Sequence, residues 1–353
     1  METVASSARE AIRRGVDPSF HLILQHTLHN KKTYKRLALV AAMGLLILFV
    51  RHIDFGVVQN KVVQIGWKFG LVFLITGIAY ALASIAWLLC FQEVPAQLSA
   101  SKLFIYRQIG ETLSTINPAN IIVGESAKMY LLKQEGIAYD EGVTSILLSR
   151  ILIFLSMVAL FLLLPFVIYQ LGWIPSFSVI SLLGILLFSI CIMGLFFSMV
   201  HPKLLLYQTL HHIASQYKIR FLNNLLPKIY AINQLLCTFY QEQRGKLIIA
   251  FLLSVLHWLM GAVEIYALLF FLDIKITLLG AILVEVGVTG IKSMGAFIPG
   301  QIGIEEYGNK VMLGLLDISA GSIWLTISIL RRTRQLIWLL IGGVFFLLVY
   351  RKV

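Results

Sequence analysis

INPANIIVGE at residues 116–125 returns as FIPGQIGIEE at residues 297–306. Pro118, Glu125 and Arg150 in the first copy correspond to Pro299, Glu306 and Arg331 in the second, each 181 positions further on. Downstream, SILLSR ends at Arg150 and SILRR carries Arg331 and Arg332. Both copies lie in apolar sequence, where a proline, a glycine turn or a charge is costly. A broken, charged helix that occurs twice in such a chain points to a transport site rather than to a soluble enzyme.

The surrounding composition sets the class. Of 353 residues, 59% are hydrophobic and 13% charged, which no ordinary soluble domain matches. Runs of about 20 apolar residues suffice to cross a bilayer. Such runs lie near 37–52, 66–91, 143–170, 174–200, 247–272 and 320–350, with a glycine-interrupted one at 276–298. The expectation is an all-α polytopic membrane protein with six to eight transmembrane helices. Residues 1–36 read as a basic cytoplasmic segment and 37–353 as a single integral membrane domain.

The net charge of +12 is not a nucleic-acid footprint. Much of it sits outside the spans, at Arg9, Arg13, Arg14, Lys31, Lys32, Lys35 and Arg36, and again between Lys203 and Lys246. By the positive-inside rule, the N-terminus and the 201–246 segment face the cytoplasm. The same surplus attracts anionic lipid headgroups. The first apolar run reads as a retained anchor, not a cleaved signal. Cys90, Cys191 and Cys237 show neither metal spacing nor a disulfide framework.

Residues 101–141 carry too much charge to span, yet LFIYRQIGETLSTINPANIIVG is apolar enough to enter the membrane. A helix, a break at Pro118 and a second short helix would make a re-entrant hairpin, followed by a long helix carrying Arg150. Residues 276–350 repeat the plan, so the repeat units lie at 101–170 and 276–350. If 276–298 is a hairpin limb, the second copy is inverted; if it is a full span, both copies face the same side. Inversion is the arrangement favoured by alternating access. Segment 201–246 reads as an amphipathic helix on the inner surface (Phe221, Leu225, Ile229, Ile232, Leu236, Phe239) or as a loop packed on the protein.

Glu125 and Glu306 each follow a proline and a glycine. Each is placed either to cap an exposed half-helix or to titrate and receive a ligand. Arg150 and Arg331, inside apolar helices, face either a ligand or an internal carboxylate partner. A guanidinium fork suits a phosphate in particular. Arg107 and Lys128 join this substrate-binding set. Pro118, Gly124, Pro299, Gly300 and Gly303 are candidate hinges. Glu264, Glu285 and Lys292 are secondary candidates, with His257 on the face of Glu264, and Arg332 and Arg334 read as snorkelling side chains. No phosphate loop for ATP is present, and no metal or cofactor is expected. The acidic pair Glu305–Glu306 lacks the His or Asp company of a metal site.

At these motifs the chain resembles the membrane region of lysylphosphatidylglycerol synthases and their stand-alone relatives, which include hopanoid-associated proteins. The first motif runs from Asn117-Pro118 to Val123-Gly124-Glu125, and the second from Pro299-Gly300-Gln301 to Glu306. Val123 and Gln301 stand where the family has glycine. The soluble lysine-transferring domain has no counterpart in these residues. The resemblance therefore implies lipid translocation rather than lipid synthesis. The expected activity is a flippase-like translocase in the bacterial inner membrane, moving a phosphate-bearing lipid between leaflets, with Arg150 and Arg331 on the phosphate. Its partners would be anionic or phosphate-bearing lipids and lipid-modifying enzymes, and no nucleic acid. Two other readings stay open: an integral membrane enzyme or subunit acting on a polyprenyl-linked or glycolipid substrate, and a scaffold acting through 201–246.

Overall fold

A computed structural model describes residues 63–116, 121–170, 237–295, 303–318 and 323–350, with isolated positions at 60, between 183 and 194, and at 234 and 301. Among these residues the chain forms eight helices and no strand: α1 (Phe69–Leu88), α2 (Ala100–Ile116), α3 (Ile121–Gln134), α4 (Tyr139–Gln170), α5 (Arg244–Phe271), α6 (Leu278–Met294), α7 (Ile304–Leu315) and α8 (Ile323–Tyr350). Four helical runs are long and apolar enough to cross a membrane: Val63–Leu88, Tyr139–Gln170, Arg244–Phe271 and Ile323–Val349. They match four of the expected spans within a few residues. The run at 37–52, most of 174–200, and Phe221 to Leu236 of the amphipathic reading lie outside the described residues. Phe239, the last member of that stripe, is fully buried beside the end of α1.

The order of long and short helices is the same in each half: a spanning helix, a pair of short helices, then a second spanning helix. The two halves run in opposite directions. At one end of the molecule the Gln64 amide donates to Asp273 at 2.8 Å; at the other the Gln92 amide donates to Glu242 at 3.0 Å. Lys246 also donates to the backbone carbonyl of Gln92. Spanning helices α1 and α5 are therefore antiparallel. Two hydrophobic cores mark the two ends. One gathers Trp87, Leu103, Leu132, Leu148 and Phe239 around α2 and α3, with Phe345 and Val349 of α8 packed on it. The other gathers Ile65, Leu164, Leu268, Leu283, Leu313 and Ile327 around α6 and α7. The pairs α2/α3 and α6/α7 thus occupy opposite ends, which is the inverted arrangement.

Local chemistry repeats with the same 181-residue offset. Helix α3 ends where Ile137 N–H donates to Leu132 C=O, with Gly136 left-handed at φ 80°. Helix α7 ends where Ile318 N–H donates to Leu313 C=O, with Asp317 left-handed at φ 54°. Both are left-handed caps closed by an apolar residue. At the start of α7, Gly303 is left-handed (φ 85°) and its N–H donates to the Glu306 carboxylate at 2.7 Å. Capping, one of the two readings of this glutamate, is realised here. Gln301, at the family's glycine position, also takes a left-handed backbone (φ 50°), a conformation that favours glycine. Its carbonyl accepts from Arg332 at 2.9 Å.

Gly124, a candidate hinge in the sequence, packs closely against the neighbouring short helix. It lies inside α3, and a Cβ there would meet the Ser114 hydroxyl and the Gly110 backbone carbonyl of α2. The two short helices touch backbone to backbone at this crossing. Pro118, Pro299 and Gly300 lie outside the described residues.

Two expectations test this packing. Gly124→Ala should destabilise the protein by about 1–3 kcal/mol through overpacking, whereas Gly343→Ala, whose Cβ meets open space within α8, should be neutral or stabilising. Thermal unfolding of the two variants in detergent decides. At the outer end of the pair, the Tyr106 hydroxyl and Lys102 both donate to Glu135 and hold its carboxyl below the usual range. A depressed carboxyl contributes stability above its unfolded value of about 4.3 and loses it as pH falls through the folded value. Amide protection factors at residues 132–137, corrected for the intrinsic exchange rate at each pH, should therefore fall on acidification, and Glu135→Gln should remove most of that pH dependence.

Candidate functional site

Each helix pair closes on a network of charges held by the following spanning helix. In the first, Arg150 on α4 donates through Nε to Glu125 of α3 at 2.7 Å and through Nη2 to Glu111 of α2 at 2.6 Å. Lys128, one turn beyond Glu125, bridges the same two carboxylates at 3.1 and 3.3 Å. Arg107 lies one turn before Glu111 on α2 and is buried. Its guanidinium rests over the Tyr80 ring of α1, 4.8 Å from the centroid, and reaches the Gln108 side-chain oxygen at 3.4 Å.

The second network is larger. Arg331 on α8 donates to Glu285 of α6 at 2.9 Å and lies 3.4 Å from Glu305 and 3.7 Å from Glu264. Arg332 holds Glu306 at 2.8 Å, and Lys292 holds Glu305 at 3.2 Å. Arg334 pairs with Glu264 of α5 and donates to Thr76 of α1 at 3.2 Å. Gln335 adds a hydrogen bond to Glu305 at 3.0 Å. Four cations therefore face four carboxylates.

Exposure separates the two. The Arg150 and Glu111 side chains are 34% and 35% exposed, against 5% for Arg331 and 2% for both Glu264 and Glu305. The first network is the more open at its Arg150–Glu111 pair, whereas the second is buried at Arg331, Arg334, Glu264 and Glu305 and reaches the surface at Lys292 and Arg332, 23% and 25% exposed. Charge separates them too: Arg107, Lys128 and Arg150 face only Glu111 and Glu125, leaving one positive charge in excess. At the 181-residue offset, Glu264, Glu285 and Arg334 correspond to Ala83, Phe104 and Ile153, and Lys292 corresponds to Glu111. Duplicated backbone thus carries unlike charge patterns.

Several sequence expectations are corrected here. Of the two readings of Arg331, the structure shows internal carboxylate partners, on α5, α6 and α7, while Glu306 is held by Arg332. Arg334 does not snorkel. It lies eleven residues into α8, about 16 Å along the axis at 1.5 Å per residue, and is buried against Glu264. Arg332 likewise turns inward. The substrate-binding set divides between the two networks, Arg107, Lys128, Glu125 and Arg150 gathering in the first and Arg331 and Glu306 in the second, where the secondary residues Glu264, Glu285 and Lys292 join them. Glu111 was passed over as a site residue, although its place one turn after Arg107 and near the break marked it. Tyr80, Gln108 and Trp338 carried no sequence signal; only packing brings them to the site.

Two antiparallel units of spanning helix, broken helix pair and charged spanning helix define an all-helical polytopic membrane protein with a charged interior. The chain matches, over residues 36–343, the profile described as the lysylphosphatidylglycerol synthase TM region, and it belongs to that family. The family fits a membrane protein that acts on lipids. Comparisons with curated proteins and with solved structures found no match.

The more buried network should be the more fragile one. Arg334→Met leaves the Glu264 carboxylate short of its nearest partner and should cost about 3–5 kcal/mol. Adding Glu264→Gln removes the orphaned charge and should restore more than half of that loss. Arg150→Met, in the more open network, should cost clearly less. Denaturant unfolding of the four proteins in detergent gives the comparison.

Proposed function

We propose that this chain is a flippase-like translocase that moves a phosphate-bearing lipid between the leaflets of a bacterial inner membrane. The observation that carries the reading is the pairing of two inverted units, one closing on a more open, positively unbalanced network and the other on a more buried, balanced one. In alternating access, inverted units exchange roles, so that one is open while the other is shut. The helix pairs act as re-entrant hairpins whose broken backbone faces protein rather than lipid.

Positive charge places the two ends. Lys102, Lys133, Arg244 and Lys246 lie at the end that holds α2/α3. By the positive-inside rule this end is cytoplasmic, with the N-terminus on that side as well. The first network is then reached from the inner leaflet.

Its chemistry suits entry and release. In the empty site Glu111 and Glu125 occupy Arg150 and Lys128. A lipid phosphate competes for the same donors, so binding exchanges one anion–cation contact for another instead of creating a deep trap. Membrane lipids supply the substrate, and lipid-modifying enzymes are the proteins expected to feed it. No chemical conversion is assigned to the chain.

The test is leaflet accessibility in proteoliposomes, with fluorescent phospholipids and polyprenyl phosphates. Protein-dependent movement is expected, slowed by Arg150→Ala roughly tenfold or more, in line with the loss of a charged hydrogen bond. Glu306→Gln should slow it through loss of the α7 cap. Wild-type movement in Arg150→Ala, or no movement of any lipid by folded protein, overturns the proposal. A changed lipid product in place of a changed leaflet would establish the enzyme reading.

A further inference from the structure

Among the described residues, three buried donors between the two networks lack a hydrogen-bond partner, beside one carboxylate oxygen, Glu264 Oε1, that also accepts none. Gln108 is 3% exposed, and its Nε2 has no partner. The indole Nε1 of Trp338 is buried and unpartnered, as is Nε of Arg334 one turn earlier on α8. Arg107 is 8% exposed and has no carboxylate within ion-pair distance among the described residues.

Packing puts these groups on one interface. Phe104, Gln108 and Thr112 form a stripe on α2 at helical spacing, facing Trp338 and Gly342 on α8. The Phe104 and Trp338 rings lie 6.0 Å apart, and a Cβ on Gly342 would strike Thr112 and come within 2.8 Å of the Gln108 carbonyl. Tyr80 of α1 completes the wall, edge-on to Trp338 at 5.1 Å and beneath Arg107. Thr76, one turn earlier on α1, holds Arg334.

A buried polar group without a partner costs free energy, and an unpaired buried charge costs more. Water would answer the orphaned N–H groups but leave the Arg107 charge uncompensated. An anion rich in oxygen acceptors answers both. The nearby carboxylates are already ion-paired, Glu111 and Glu125 with Arg150 and Lys128 and Glu264 with Arg334 and Arg331, although Glu125 Oε2 and Glu264 Oε1 accept no hydrogen bond among the described residues.

We infer that the interface of α1, α2 and α8 is a phosphodiester site, in which Arg107, Gln108 and Trp338 hold the headgroup phosphate of a lipid at mid-depth between the two charge networks. The single surplus positive charge matches the single negative charge of a phosphodiester. The phosphate therefore rests on a set of donors distinct from the motif arginines, with Arg150 at its entrance and Arg334 at its far side. This deepens the lipid-handling reading above but depends only on binding, not on movement.

The experiment is a titration of the full-length protein in neutral detergent, read as thermal stabilisation and as lipid retained in native mass spectrometry. The probes are phosphatidylglycerol, diacylglycerol and inorganic phosphate. Phosphatidylglycerol should bind and stabilise, and diacylglycerol should not. Arg107→Gln should weaken phosphatidylglycerol roughly 10- to 100-fold, the range for a lost charged hydrogen bond. Trp338→Phe keeps an aromatic ring but removes the N–H together with part of the indole, and should weaken it several-fold beyond any change in the lipid-free unfolding temperature. If Arg107→Gln fails to fold, Trp338→Phe decides alone. Wild-type affinity in the folded variants, or equal stabilisation by diacylglycerol, overturns the site. Inorganic phosphate binding as tightly as phosphatidylglycerol overturns its assignment to a lipid. Weakened binding in the variants with no lipid movement by the wild type would keep the site and remove the translocase.

Discussion

Charge buried at the middle of a membrane protein must be neutralised where it stands, because the surface is out of reach. Arg334 lies eleven residues into a spanning helix and is buried, and its side chain does not stretch from there to water. Every other feature of the interior follows from that constraint. The helix pairs α2/α3 and α6/α7 bring Glu111, Glu125, Glu305 and Glu306 to the depth of the arginines. Each pair must therefore break midway, since an unbroken helix would carry its second carboxylate out the other side. Glycine contacts such as Gly110 against Gly124 then let the two limbs close tightly enough for one arginine to bridge both.

The two units meet this constraint to different degrees. Four carboxylates balance four cations in the second network, and seven of those eight groups sit on α6, α7 and α8. With charges matched and Arg331, Arg334, Glu264 and Glu305 buried, that network behaves as a staple. The first has three cations against two carboxylates, and its Arg150 and Glu111 remain a third exposed. Unbalanced charge in an accessible site is a site for an ion. Between the two, Tyr80 and Trp338 form an aromatic wall lined with N–H donors, so the charged interior is continuous along α1 and α8.

Much of this was legible in the chain. The 181-residue repeat, the apolar runs and the spacing of Pro, Glu and Arg determined an all-helical membrane protein built from two like units, because bilayer thickness and the cost of buried charge act on sequence directly. They also marked Arg107, Glu125, Lys128 and Arg150 as candidate site residues. The sequence did not determine which arginine meets which carboxylate. Glu306 takes Arg332 rather than Arg331, and Arg334 turns to Glu264, because partner choice depends on the rotation of α8 against α5 and α6. The direction of the second unit was likewise open until antiparallel packing of α1 on α5 decided it. Gln108, Trp338 and Tyr80 lie 230 residues and more apart in part, and only tertiary contact makes them neighbours. Composition and spacing determine what must be buried; the packing of helices decides what each buried group then touches.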